Sequence, residues 1–192
     1  MCKLWLERLQ AWIQTVSPYQ FSYTGIFTAL ALSILGAGLG IYMIGASLTQ
    51  ATVHHPEIKS KNLISILFCE AIALYGIIMA IITFSTIPST QATFLYVKAG
   101  YQGPQKYDAA QLKTEVSNLA AGYGQGFGGI SVGFANLFAA ITVGVLGSSL
   151  VIAHANAPAI FVKLFISEVF AEAIALIGLI CGIVMALGVK YE

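Results

Sequence analysis

The stretch Glu70-Ala71-Ile72-Ala73-Leu74-Tyr75-Gly76 returns later in the chain as Glu172-Ala173-Ile174-Ala175-Leu176-Ile177-Gly178. In the same frame, Gly45–Ile82 falls on Gly147–Val184 without a gap, and 18 of 38 positions are identical. Apolar letters match by chance in a hydrophobic sequence. A proline (Pro56 on Pro158), a lysine (Lys61 on Lys163) and a glutamate (Glu70 on Glu172) do not easily align in one frame by chance. The chain therefore reads as a duplicated two-helix unit. Two spans per unit make the repeats parallel, so both short loops face the same side.

Each copy sits in an apolar run. Of 192 residues, 58% are hydrophobic and 9% charged, against about 25% charged in a soluble domain. Phe21–Thr49 carries no charge, Asn62–Ile87 only Glu70, Leu119–Ile152 none, and Ile160–Val189 only Lys163, Glu168 and Glu172. At about 1.5 Å per residue each run can cross a hydrocarbon core of about 30 Å. Lipid offers no hydrogen bonds, so each span is expected to be helical. The expected fold class is an all-α membrane protein, with four transmembrane helices as two tandem hairpins. Its parts are a short N-terminal amphipathic segment (1–18), a first hairpin (19–87), an inter-repeat loop (88–118) and a second hairpin (119–192).

In the N-terminal segment Leu4, Trp5, Leu9, Trp12, Ile13 and Val16 recur at helical spacing, in a run too short to span. It reads as an interfacial helix with tryptophans at headgroup depth. Gln50–Lys61 and Ala153–Ala159 are the short loops, with His54 and His55 as solvated loop residues. Cys2, Cys69 and Cys181 have no metal spacing and read as buried packing thiols. No metal site or cofactor is expected. A net charge of +1 gives no electrostatic case for nucleic acid.

The first helix of each hairpin is rich in glycine. Gly36 and Gly40 are four apart, as are Gly129 and Gly133. That spacing lets helix backbones touch. A nucleotide loop would need a preceding strand and a soluble context, and neither is present.

Glu70 is the one charge of its span. Its neighbours three and four residues away are Ile66, Leu67, Ala73 and Leu74. A charge near mid-bilayer costs about 2.5–3.5 kcal/mol on insertion scales. Such surroundings favour the neutral carboxyl, because only the charged form loses solvation. A group that is neutral against lipid and ionises beside a cation or a water path has the property of a proton carrier. Glu172 carries the same reading through the repeat. Glu168 lies one turn before it; two carboxylates at that spacing repel if both ionise, so at least one is held neutral. Lys163, near its span's end, reads as a snorkelling anchor. No catalytic constellation of its own can be assembled, so the chain is not expected to be an enzyme by itself.

This arrangement resembles the proteolipid family of rotary ATPases, and within it the c″ branch of the eukaryotic vacuolar type. The residues that carry the resemblance are Ile58-Lys-Ser-Lys-Asn-Leu-Ile-Ser-Ile-Leu-Phe-Cys-Glu70-Ala-Ile-Ala-Leu-Tyr-Gly-Ile-Ile-Met-Ala80, supported by Val132-Gly-Phe-Ala-Asn-Leu-Phe138 and Phe161-Val-Lys163. It covers about residues 20 to 188. The resemblance implies a ring of c-type proteolipids turning in the bilayer against a large membrane subunit. Glu70 would carry H⁺ around the ring and release it near an arginine of that subunit. The short loops would face the cytoplasm and the central stalk, ATP hydrolysis would lie on other subunits, and the compartments would be acidic endomembranes (vacuole, lysosome, endosome, Golgi). The ordinary c-type proteolipid has its essential glutamate in the last span, so Glu70 in span two favours c″. One departure stands out: that branch usually has a glutamate at the position of Glu168 and a small residue at that of Glu172, whereas here both are acidic, which makes Glu168 a further candidate carrier and leaves open one or two protons per revolution. Two other readings are a non-rotary four-helix scaffold or channel subunit, which leaves the repeated carboxylate unexplained, and a secondary transporter.

Overall fold

The computed structural model describes residues 17–56, 62–88, 109–188 and 190–191. Among the described residues are four α-helices: α1 (Pro18–His54), α2 (Leu63–Thr86), α3 (Ala109–Asn156) and α4 (Phe161–Leu187), with a 3-10 turn, Pro158–Ile160, leading into α4. All four are long and apolar enough to cross a membrane. The expected fold class of two tandem helical hairpins is the one observed. The N-terminal segment, apart from Ser17 and Pro18, lies outside the described residues.

The helices outrun the apolar stretches that announce them. Hydropathy makes the segment 88–118 a loop, yet α3 begins at Ala109. Its first residues, Ala-Ala-Gln-Leu-Lys-Thr-Glu, are mostly strong helix formers; charge marks where hydrocarbon ends, not where a helix must end. Likewise α1 runs on to His54 and α3 to Asn156, into the two expected short loops, so His54 is helical. Both helices stop for one reason. His55 (φ −134°, ψ 82°) and Ala157 (φ −150°, ψ 90°) are extended, and each precedes a proline, whose ring disfavours helical backbone in the residue before it.

The helices form two layers. In the first, α1 and α3 lie parallel and nearly backbone to backbone. A Cβ on Gly122 would sit 2.5 Å from Pro18 O, on Gly126 2.9 Å from Phe21 O, on Gly133 2.7 Å from Thr28 O, and on Gly144 2.7 Å from the Gly40 Cα. One at Gly129 would overlap Gly25. From the other side, a Cβ on Gly36 would lie 2.9 Å from the Leu137 Cα, and on Gly40 2.8 Å from Ala140 O. Numbering climbs together on the two helices, which fixes them as parallel, and so the two hairpins point the same way.

In the second layer α2 packs on α1 and α4 on α3, and α2 also reaches α3 and α4. Gly76 of α2 meets Ser33 of α1, and Gly178 of α4 meets Ala135 of α3. Both residues of the second pair lie 102 positions after those of the first (178 − 76 = 135 − 33 = 102). Each outer helix therefore rests on its own inner helix in the same pose. Two buried hydroxyls are satisfied within their own helix, Ser33 Oγ by Ala29 O (2.6 Å) and Thr83 Oγ1 by Met79 O (2.8 Å), the usual arrangement for Ser and Thr in membrane helices. Cys69 is buried, but Cys181 is exposed, contrary to its expected packing role: it falls on the outward face of α4, where an apolar thiol is at no disadvantage in lipid.

After α4 the chain folds back on the start of α1. The Tyr191 hydroxyl pairs with Ser22 Oγ at 2.7 Å, and its ring stacks on Tyr19 at 4.9 Å. Burial pushes the Tyr191 phenol up to about 12 from an ordinary 10.0, against the pull of the Ser22 bond.

Two outcomes are expected. Gly129→Val lowers the stability of the detergent-solubilised subunit by at least the upper end of the about 1–3 kcal/mol typical of overpacking, because backbone forms the opposing wall. Gly38→Val, with nothing within 4 Å, leaves it within about 0.5 kcal/mol; thermal unfolding reads both. A phenol whose proton is held more tightly in the folded chain stabilises fully below the unfolded value and loses that contribution as pH rises through the folded one. The stability due to Tyr191 is therefore constant up to about pH 10 and lost between about 10 and 12, and Tyr191→Phe removes that fall from a pH series of melting temperatures.

Candidate functional site

The three membrane carboxylates occupy three different environments. On α2 the buried residues are Ser65, Cys69, Ile72, Gly76, Met79 and Thr83, a stripe repeating every three or four residues. Glu70 is five residues from Ser65, which at about 100° per residue places it roughly 140° around the helix. It is exposed, flanked on the same outward face by Leu67 (59% exposed) and Leu74 (55%). This is a lone carboxyl on a surface built for lipid or for another helix.

Glu168 is the opposite case, with no exposure at all. It comes off α4 into the space between the layers. Its Oε2 accepts a hydrogen bond from Ser65 Oγ of α2 at 3.0 Å. Its Oε1 lies where a side chain on Gly147 would be, 3.0 Å from that virtual Cβ, alongside Ile44, and has no partner among the described residues. Glu172, one turn on, is half-buried against α2. Tyr75 lies within electrostatic reach of it, but neither carboxylate oxygen has a partner in hydrogen-bond geometry among the described residues. Phe68 of α2 and Phe165 of α4 stack at 5.7 Å beside the pair. Thus Glu168 and Glu172 share the seam between the two outer helices, and Glu70 is turned away from it.

The inner glycines Gly36, Gly40, Gly129 and Gly133 all lie on the contact between α1 and α3. Gly40 also makes room for the Cys69 sulfur, 2.7 Å from its virtual Cβ. His54 and His55 are exposed and border a cavity of about 330 Å³ at the loop end, between α1 and α3, with Gln50 and Asn156. The described residues contain no cluster of side chains that would hold a metal ion. Lys163 is exposed near the start of α4.

The family model for the C subunit of ATP synthase matches residues 24–83 and again 127–185, so the duplicated hairpin is two copies of one family unit. The c″ subunit of the V-type proton ATPase of Saccharomyces cerevisiae is 39% identical over 170 residues, 88% of this chain and 71% of that one. The c″2 subunit of the Arabidopsis thaliana V-type proton ATPase is 40% identical over 171 residues, 89% of this chain and 86% of that one. The chain belongs to the rotary ATPase proteolipids, on the V-type c″ branch. The 16 kDa c-type proteolipid of the Ovis aries V-type proton ATPase is also similar, at 26% over 166 residues, 86% of this chain and 90% of that one.

For a c″-branch proteolipid, the partners of the second-hairpin carboxylates are the part that sequence reasoning missed. Tyr75 had a signal: it is the one mismatch between the two copies of the seven-residue motif, where Ile177 stands in the second. Ser65 had none, because Ser167 matches it in the repeat and a serine in a membrane helix is ordinary. Two amides were also missed. Asn136 Nδ2 donates to Ser33 Oγ at 2.9 Å, and Gln125 Nε2 donates to Thr86 Oγ1 at 2.8 Å. Both are uncharged and stand singly in long apolar runs, so a search for charges in the spans passes over them.

Exposure orders the reactivity of the three carboxyls. A hydrophobic carbodiimide, which attacks neutral carboxyls from the lipid phase, modifies Glu70 first, Glu172 more slowly, and Glu168 only after the bundle opens. Peptide mass spectrometry over a time course reads the order; Glu168 reacting as fast as Glu70 would contradict this geometry.

Proposed function

We propose that the chain is a proton-translocating rotor-ring subunit of a vacuolar-type ATPase, with Glu70 as its carrier. The observation that bears most of this reading is the unequal setting of two equivalent residues. The outer helices adopt the same pose on their inner helices, so Glu70 and Glu172 occupy the same place on their hairpins. Beside Glu172 stands α2 with Tyr75. Beside Glu70 there is no helix among the described residues, which hold no outer helix before α2. A preceding proteolipid in a ring would supply one, and between such contacts Glu70 would face lipid.

Monomer packing supports the same reading. Only 28–39% of the most apolar window of each helix is buried. Large side chains such as Phe27 (70% exposed), Tyr42 (73%) and Phe170 (69%) point away from the bundle. Lipid can cover the outer ones; Phe27 and Tyr42 of α1 belong to the inner layer, where neighbouring proteolipids would cover them.

In this mechanism Glu70 is neutral on the lipid arc, where burying a charge is costly. It ionises where the large membrane subunit presents an arginine, which attracts the carboxylate and repels a second cation. It is reprotonated from a water path before re-entering lipid. The soluble sector hydrolyses ATP and the central stalk delivers torque to the short loops, so this chain needs neither cofactor nor catalytic residue. The setting that suits the activity is an endomembrane compartment kept acidic. Glu172 and Glu168 face their own chain's seam and are assigned no exchange with the half-channels.

ATP-driven acidification of membrane vesicles tests this. With Glu70→Gln the complex still assembles, as read by pull-down, and pumping falls by about 100-fold or more. With Glu172→Gln pumping stays within about threefold of wild type. Loss of pumping in both would make each hairpin a carrier. Normal pumping in Glu70→Gln would leave the four-helix scaffold reading instead.

A further inference from the structure

Glu168 is a buried ionisable group that this mechanism does not use. Its place in the fold gives it another task. The Ser65–Glu168 hydrogen bond joins the two outer helices side chain to side chain. It attaches to α2 at Ser65, five residues before Glu70. Three side-chain positions on three helices form the joint: Gly147 of α3 leaves the space, Glu168 of α4 fills it, and Ser65 of α2 closes it. Replacing the Gly147 hydrogen with a methyl group would push into the carboxyl.

We propose that Glu168 is a positioning residue: as a neutral carboxyl bonded to Ser65, it pins the Glu70-bearing end of α2 against α4 and thereby sets the azimuth at which Glu70 faces outward. A carboxylate with no cation beside it is expensive to bury. The groups that act on Glu168 among the described residues are Ser65 and Glu172, with Cys69 also near, and none is a cation. The neutral form needs none. Because Ser65 and Glu70 are roughly 140° apart on one rigid helix, holding the first inward holds the second outward. A few tens of degrees of rotation about the α2 axis would carry the Glu70 carboxyl by more than an ångström, enough to misalign a proton transfer. The first hairpin has Ile66 where the second has Glu168, so the joint belongs to the seam within the chain and has no copy on the open flank of α2.

This inference rests on Glu70 as the carrier, and the experiment separates the two. In assembled complexes carrying Glu168→Gln, Glu168→Leu or Ser65→Ala, two quantities are measured: ATP-driven acidification, and the initial rate at which a hydrophobic carbodiimide modifies Glu70. Gln keeps the shape and a neutral hydrogen bond, so both quantities stay within about twofold of wild type. Leu and Ala remove the bond, so both fall together by about tenfold or more. Should the Leu variant fail to assemble, Ser65→Ala, which adds no bulk, decides. Unchanged Glu70 modification in Ser65→Ala overturns the proposal. So does loss of pumping in Glu168→Gln with Glu70 modified at the normal rate, since that would make Glu168 a carrier. A parallel Glu70→Gln complex that pumps normally would sink the carrier reading alone, while the modification rates of Glu70 in the other variants still report on position.

Discussion

The backbone contact between α1 and α3 is the constraint from which the other arrangements follow. Lipid is as apolar as leucine, so helices in a bilayer associate through close packing rather than through exclusion of water. Glycines at 25, 36 and 40 on one helix and at 122, 126, 129, 133 and 144 on the other remove the side chains that would hold the backbones apart. Two helices in contact along most of their length leave no room for a third between them. The outer helices must therefore lie to one side, as a second layer, and any carboxylate they carry is placed either in the groove between layers or on the outer surface. The parallel direction of α1 and α3 then brings both short loops to one end.

Duplication produces equal hairpins with unequal neighbours. A pair of hairpins side by side has one internal seam and two open flanks. Residues related by the repeat become different in kind when one faces the seam and the other a flank. Glu172 and Glu70 are such a pair, and so are Tyr75 and Ile177, the first beside a carboxylate and the second exposed on the outside of α4 (60%). The two copies of the motif differ at the position that faces the Glu172 carboxylate in one hairpin and the outer surface in the other. Glu168 extends the same logic: a third carboxylate is tolerable where it can be enclosed and hydrogen-bonded, and only the seam offers that.

Much of this architecture is legible before any coordinates. Four apolar runs of adequate length mark the spans, and Pro56, Lys61 and Glu70 in frame with Pro158, Lys163 and Glu172 mark the repeat. Their signals are local and periodic. Helix limits are less legible, because hydropathy marks the hydrocarbon boundary and the helix continues past it through Lys113 or His54. The direction of each carboxylate is not legible at all. Glu168 and Glu172 lie four apart on one helix, yet one is sealed and the other half-open, and that depends on where α2 and Gly147 sit. Such placement is tertiary, and a single sequence does not encode it in its spacing.

Four polar bonds between side chains of different segments share a feature that no hydropathy plot could give. Gln125 with Thr86, Asn136 with Ser33, Glu168 with Ser65, and Tyr191 with Ser22 each tie the second half of the chain to the first. Within a hairpin, glycine notches and apolar packing hold the helices together, and a short loop already joins them covalently. Between hairpins no such tether is short, since α2 and α3 are separated by the segment from 87 to 108. Interhelical hydrogen bonds in bilayers average about 0.6 kcal/mol, so four contribute about 2–3 kcal/mol, modest beside the packing of α1 on α3. Their value is directional. Glycine contacts resist separation but allow sliding and rotation; a hydrogen bond of 2.7–3.0 Å allows neither. A seam built of both holds its two halves in one register while the surface around it is free to exchange lipid for protein.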